Sequence, residues 1–284
     1  MALVKVNELL KHATEHHYGV AAVNVINVET VKYIIEAAES ERVPVIVQFY
    51  PGFDSYIDMK YIAHAATDMA RYASVPVAVH LDHSAGYEIA MKGLKSGFPS
   101  VMVDGSSLPF EENIELTASI VRAAEVFGVD VEAELGHVGS GANENDIVNT
   151  NHYTKVDQAV EFVERTGCGS LAIAVGNAHG PYVKTPNLDF ERIRAIRAAV
   201  SVPLVLHGCS DIPEDQIREA VNLGMSKFNV ATEYFRIMYQ AAEKTIAKRD
   251  CKENGVGLLF ALREPMIDFV IQKIRLLNPN RFSL

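Results

Sequence analysis

Eight short apolar runs recur along the chain, at residues 19–26, 43–50, 76–83, 99–104, 129–136, 170–176, 202–208 and 225–232. Most are near-continuous stretches of Val, Ile, Leu and Ala, the signature of strands buried on both faces. Between them the apolar residues return every three to four positions. That spacing predicts amphipathic helices over 29–42, 58–73, 87–96, 110–127, 156–166, 189–200, 213–223 and 233–248. Gly97 and Gly128 close two of these, and Asp211 is the expected N-cap of the 213–223 helix. Further helices are expected over 3–17 and 256–277. Strand and helix alternate without a break in composition. The pattern predicts an α/β chain of one domain over 1–284, a (β/α)8 TIM barrel with additional terminal helices. An open doubly wound sheet competes, but its first turn usually carries a glycine-rich dinucleotide motif. Here that turn reads VNVINVE, without glycine.

The polar residues that interrupt the strands fall at their carboxyl ends: Asn24, Asp82 with His83, Asp104, Glu134, His179, His207 and Asn229. In a barrel these ends share one rim, where active sites sit. His83, His179 and His207 each follow a different strand, and three neutral imidazoles are a standard catalytic zinc set. His80 shares a strand face with Asp82 and reads as support for the site or packing. His12, His16, His17, His64 and His152 are expected to be solvated or capping residues. Gly180, Gly208-Cys209-Ser210 and Asn229-Val230-Ala231-Thr232 fill the loops after strands six to eight. Barrels often hold a phosphate there on backbone N–H groups. Asp82 is a candidate general acid or base. Asp104 and Glu134 are candidates to orient the imidazoles or to bind metal themselves. The loop 137–152 exceeds ordinary βα connections and marks a binding loop. Its Glu144 and Asp146 are either solvated or functional. Lys227, inside the eighth strand, is the competing candidate, as a Schiff-base lysine.

A net charge of −10 over 284 residues argues against a nucleic-acid or polybasic membrane binder. An anionic substrate would therefore need a local positive site. Three cysteines without a CxxC pair fit a reduced, cytoplasmic setting. No apolar run approaches the ~18 residues of a membrane span, and the N-terminus has no signal-peptide core.

Seven motifs carry a resemblance: AVNV at 22–25, VIVQ at 45–48, HLDH at 80–83, EAELG at 132–136, GNAHG at 176–180, LHG at 206–208 and NVATE at 229–233. In this order they resemble the class II, zinc-dependent ketose-bisphosphate aldolases, in the branch of tagatose- and fructose-bisphosphate aldolases. The resemblance implies reversible cleavage of a phosphorylated ketose to dihydroxyacetone phosphate and an aldehyde, through a zinc-stabilised enediolate. It implies Zn2+ on His83, His179 and His207, replaceable by another divalent metal, and allows a monovalent cation. Asp82 then exchanges a proton with the aldehyde-derived oxygen, and Glu144 moves a proton beside the ketone. The donor site, with Asn24, takes in Gly180, Gly208 to Ser210 and Asn229 to Thr232. Asp104 and Glu134 match an alternative metal position. A cytoplasmic homodimer or homotetramer acting on a small phosphorylated sugar, without nucleic acid or membrane, is expected.

Three departures stand out. Tyr50 replaces the family's usual serine, Asp211 replaces a glycine in HGCSD, and the loop GSGANEND is longer than usual. They motivate a second reading, the same aldol chemistry on a monophosphate or otherwise anionic ketose. A zinc hydrolase on the same barrel is a third, and a non-catalytic partner subunit a fourth.

Overall fold

The computed structural model describes residues 2–144, 149–248 and 254–284. Eight parallel strands close into a barrel in sequence order: β1 Val20–Val25, β2 Val45–Phe49, β3 Val77–Ser84, β4 Ser100–Val103, β5 Asp130–Leu135, β6 Ser170–Ile173, β7 Leu204–Leu206 and β8 Met225–Val230. Seven of the eight expected runs are longer than their strands, while β3 equals its run in length one residue further on; extra residues such as Val43, Ala174 and Val175 are buried but lie outside the ladder. Burial sets the apolar pattern; pairing sets the strand.

Helices follow the strands as the spacing predicts. Three of them, Tyr87–Ser96, Phe110–Phe127 and Val156–Thr166, keep the expected limits. Asn27 and Thr30 form a reciprocal capping box at the start of Val28–Glu41. One expectation fails: the helix Glu214–Asn222 has Pro213 at its N-cap, with no side-chain cap, so Asp211 does not cap it.

The barrel interior is layered. The N-terminal helix Val6–Glu15 lays Val6, Leu9, Leu10 and Ala13 against Val20, Ala22, Ile46, Ala78, Ala172 and Val205, forming an apolar floor. Above it the lumen turns polar, and β5 shows why its sequence alternates. Val131, Ala133 and Leu135 face the helical layer, while Glu132 meets Lys227 across the lumen. All six residues of β5 are buried, so the alternation separates lumen from helices rather than protein from water.

The last helix, Gly255–Leu277, contains Pro265 and packs beside Val28–Glu41. Arg275 and Arg281 both donate to the buried Glu41 carboxylate, tying the C-terminus to that helix. Among the described residues no helix is long and apolar enough to cross a membrane. Cys168 and Cys209 are buried free thiols, and Cys251 lies outside the described residues.

Candidate active site

A cavity of about 520 Å³ opens at the carboxyl ends of the strands. That is the size of a small-molecule site. Asn24, Asp82, His83, Asp104, His179, Gly180, Gly208, Ser210, Asn229, Ala231 and Thr232 line it, so most of the predicted rim converges. His207 and Glu134 lie buried behind the lining, in the same ligand cluster as His83 and His179, and Cys209 and Val230 do not line it either. The Cys209 N–H donates to the Asn229 carbonyl and its thiol to the Leu206 carbonyl, while Val230 is buried in the core.

His83 reaches the cavity through a break in β3. Strict alternation would aim Asp82 and His83 at opposite faces. Between Leu81 and Ser84 the register against β4 slips by one residue, and His83 adopts φ 41°. This bulge turns both side chains to the same side. The left-handed backbone is strained for a non-glycine residue, on the order of 1–3 kcal/mol. It is held by hydrogen bonds from His83 N to Met102 Sδ at 3.3 Å and between His83 Nδ1 and Asp104 Oδ2 at 2.9 Å.

His83, Glu134, His179 and His207 each offer a ligand atom, and these atoms lie within 4.8 Å of one another. One proton arrangement satisfies all three ring contacts. With Nδ1–H given to Asp104, His83 donates Nε2–H to His207 Nδ1 at 2.9 Å, and His207 donates Nε2–H to Glu132 Oε1 at 2.9 Å. Burial works against a charged His83, but Asp82, Asp104 and Glu134 outweigh it and raise its pKa to about 9. Burial and then the His83 charge hold His179 down at about 4, and the same pair keeps His207 well below the usual range. Burial, reinforced by Asp104, pushes Glu134 up to about 8. Glu134 Oε2 is buried without a hydrogen-bond partner. Imidazole lone pairs, a spare buried carboxylate oxygen and an open cavity beside them fit a divalent cation of the zinc type.

Asp82 sits at the cavity floor. Its Oδ2 accepts from Asn24 Nδ2 at 3.0 Å and Gln48 Nε2 at 3.4 Å, and its Oδ1 from Asn229 Nδ2 at 3.1 Å. Burial raises its pKa, but the positive charges of His83 and Lys227 and the Asn24 amide reverse the direction to a net lowering. A buried carboxylate aimed at the cavity and held ionised by amides is suited to take a proton.

The opposite wall is built for an anion. The helix Thr232–Lys248 begins at the cavity, where its N-terminus carries partial positive charge. Ser210 Oγ accepts from Glu233 N at 3.2 Å, which leaves its hydroxyl proton free to donate. Gly208 has φ 61°, and a Cβ there would collide with the Ala178 carbonyl. Tyr182 bolts these loops together: its hydroxyl accepts from Ala178 N at 2.7 Å and donates to Gly208 O at 2.9 Å. Gly208→Ala is expected to lose on the order of 1–3 kcal/mol to backbone strain alone. Urea denaturation measures it; an unchanged midpoint contradicts this account.

Two other expectations find their answers here. Asp211, with φ 63°, turns to the surface, where Arg236 donates to both its oxygens at 2.9 and 2.5 Å. It therefore does not repel an anion at the Ser210 loop. Glu144 is exposed and paired with Lys184 at 3.2 Å, outside the cavity lining, and Asp146 lies outside the described residues. Before Glu144 the loop is braced on the metal-site edge, with Gly141 N donating to His179 O at 2.7 Å and His179 N to Gly139 O at 2.8 Å.

Sequence reasoning missed Gln48, Phe53, His137 and Glu132. Gln48 and Glu132 stood inside quoted motifs, and their inward parity with Asn24 and Glu134 was the available signal. Lys227 is fully buried, with Nζ 2.8 and 3.0 Å from the two Glu132 oxygens, and it does not line the cavity. A Schiff base on it is thereby ruled out.

A barrel with imidazoles and carboxylates gathered at its strand ends is the build of an enzyme working on its carboxyl rim. The family model of the class II fructose-bisphosphate aldolases matches residues 4–281. The protein YdjI of Escherichia coli K12 is 42% identical over 264 residues, covering 93% of each chain. The crystal structure of the YdjI aldolase matches at TM-score 0.87 and 38% identity over 97% of each chain. The fructose-bisphosphate aldolase Fba of Campylobacter jejuni shares the fold, at TM-score 0.84 and 22% identity, over 99% of this chain and 97% of that one. The chain belongs to the class II fructose-bisphosphate aldolase family and is a carbon–carbon lyase.

Proposed function

We propose that this aldolase reversibly cleaves a ketose phosphorylated at its donor end, of the fructose or tagatose 1,6-bisphosphate type, to dihydroxyacetone phosphate and an aldehyde. The observation that carries the reading is one cavity lined by Asp82, His83, His179 and the N-terminus of Thr232–Lys248, with His207 buried against His83. His83, His179 and His207 would hold a zinc or similar divalent cation, with Glu134 within reach. When bound, the cation supplies Lewis acidity toward the ketone oxygen.

The chain's own residues do the rest. Gly180, Gly208, Ser210 and the helix start at Thr232 bind the donor phosphate. Asp82 takes the proton of the C4 hydroxyl as the C3–C4 bond breaks, the bonding electrons stay with C3, the aldehyde leaves, and C3 gains a proton, in net the one lost from the C4 hydroxyl, to give dihydroxyacetone phosphate. Asn24, Gln48 and Asn229 fix the carboxylate for that transfer. Glu144, the sequence's candidate for the C3 proton, stands outside the cavity lining, paired with Lys184.

A second reading keeps the chemistry and removes the second phosphate. Among the described residues that line the cavity none is lysine or arginine, and Tyr50 with Phe53 forms an aromatic wall, ring centroids 5.4 Å apart. Turnover of ketose 1,6-bisphosphates, ketose 1-phosphates and free ketoses separates the two. A kcat/KM for the bisphosphates above that for the 1-phosphates supports the first, and the reverse order supports the second. Free ketoses turned over as well as either would remove the donor-phosphate site. Solvent exchange of the C3 proton of dihydroxyacetone phosphate, lost with a chelator, separates both from a zinc hydrolase.

A further inference from the structure

Directly beneath the imidazole cluster lies a charged group that the reaction above does not use. Lys227 on β8, Glu132 on β5 and His80 on β3 are all buried in the barrel lumen. Lys227 Nζ sits 3.0 Å from Glu132 Oε1 and 2.8 Å from Oε2. The same Oε1 accepts from His207 Nε2 at 2.9 Å. His80 Nε2 is 3.7 Å from Oε2, and its Nδ1 is bonded to Ser100 Oγ at 2.8 Å. One carboxylate thus joins a buried lysine to a rim histidine.

We propose that Lys227 is a positioning residue: by donating to Glu132 Oε1 and pairing by charge with Oε2, it holds Oε1 on His207 Nε2–H, and so presents His207 Nδ1 as the lone pair that faces the imidazole cluster. The inference rests on the metal reading of His207 given above. A buried carboxylate is free to turn about its terminal bond unless both oxygens are held. Lys227 Nζ lies within ion-pair distance of both. Without it only the His207 contact itself holds Oε1, and the imidazole is freer to exchange Nε2–H for Nδ1–H. That tautomer puts a proton where the cation's ligand should be. Outer partners of metal-bound histidines act this way, and their loss typically lowers metal affinity about 10–100-fold. Buried ion pairs add little net stability, so a lysine kept here solely to stabilise the barrel is poorly explained.

The test uses the wild type, Lys227→Met, Glu132→Gln and the double variant. Imidazole 15N NMR of the metal-free proteins reads the His207 tautomer: Nε2–H in the wild type and a mixture or Nδ1–H in Lys227→Met is expected. Co2+ titration against a chromophoric chelator is expected to show a loss of about 10–100-fold in each single variant. The double variant should lose no more than the worse single one, because both changes act through one hydrogen bond. The Co2+ visible spectrum of Lys227→Met should also shift. Overturning results are Nδ1–H in the wild type, an unaltered tautomer in Lys227→Met, wild-type Co2+ affinity in that variant, or additive losses in the double variant. Should Lys227→Met not fold, the smaller Lys227→Gln carries the same outcomes. A wild type that binds no Co2+ removes the metal reading, and the tautomers then decide the positioning role alone.

Discussion

Asp82→Ala is expected to keep its metal affinity within about threefold of wild type while kcat falls by roughly 10²–10⁴, the range that general acid–base groups contribute. The separation follows from geometry. The nearest His83 nitrogen is 3.9 Å from Asp82, too far for a hydrogen bond, so the carboxylate does not hold the imidazole cluster in place. Its partners are the amides of Asn24, Gln48 and Asn229. Truncation leaves those amides facing a space that water can fill, which limits the structural damage. Steady-state kinetics and metal content on the same preparation read both quantities. A kcat within tenfold of wild type would remove Asp82 from the proton transfer.

The second large effect is expected at His179. Its side chain makes ring contacts with His83 and His207, at centroid distances of 4.7 and 5.8 Å, and its backbone, not its ring, braces the long loop. His179→Ala should therefore preserve the fold, with a Tm close to wild type. Metal affinity should drop by more than the roughly 10–100-fold typical of outer partners. Activity should vanish at micromolar metal, just as it should when the wild type is treated with a chelator, and return to the wild type alone on adding Zn2+. Full activity of a metal-free wild type would refute the scheme.

Much of this architecture could be read from the chain because burial repeats. Eight apolar runs and eight helical periods leave few topologies for parallel strands, and the polar residues that end the runs must then share a rim. Asn24, Asp82, His83, His179, His207 and Asn229 were found in this way. Glu132 was harder, because a buried glutamate has no periodic mark to separate it from Glu134 two positions on. One ends beside the cavity cluster and the other pairs with Lys227 below it. Asp211 was misjudged as a helix cap because its partner, Arg236, lies 25 positions away in sequence.

The sequence by itself determined the barrel, the rim and the residue types gathered there, since the hydrophobic pattern depends only on local order and period. Tertiary structure alone decided how those residues act. A one-residue slip against β4, with His83 at φ 41°, brings Asp82 and His83 to one side where alternation would part them. Contacts across the lumen decided that Lys227 faces Glu132 and not the cavity. Both outcomes arise from contacts between separate strands, and register between strands is a property that no single strand's sequence contains.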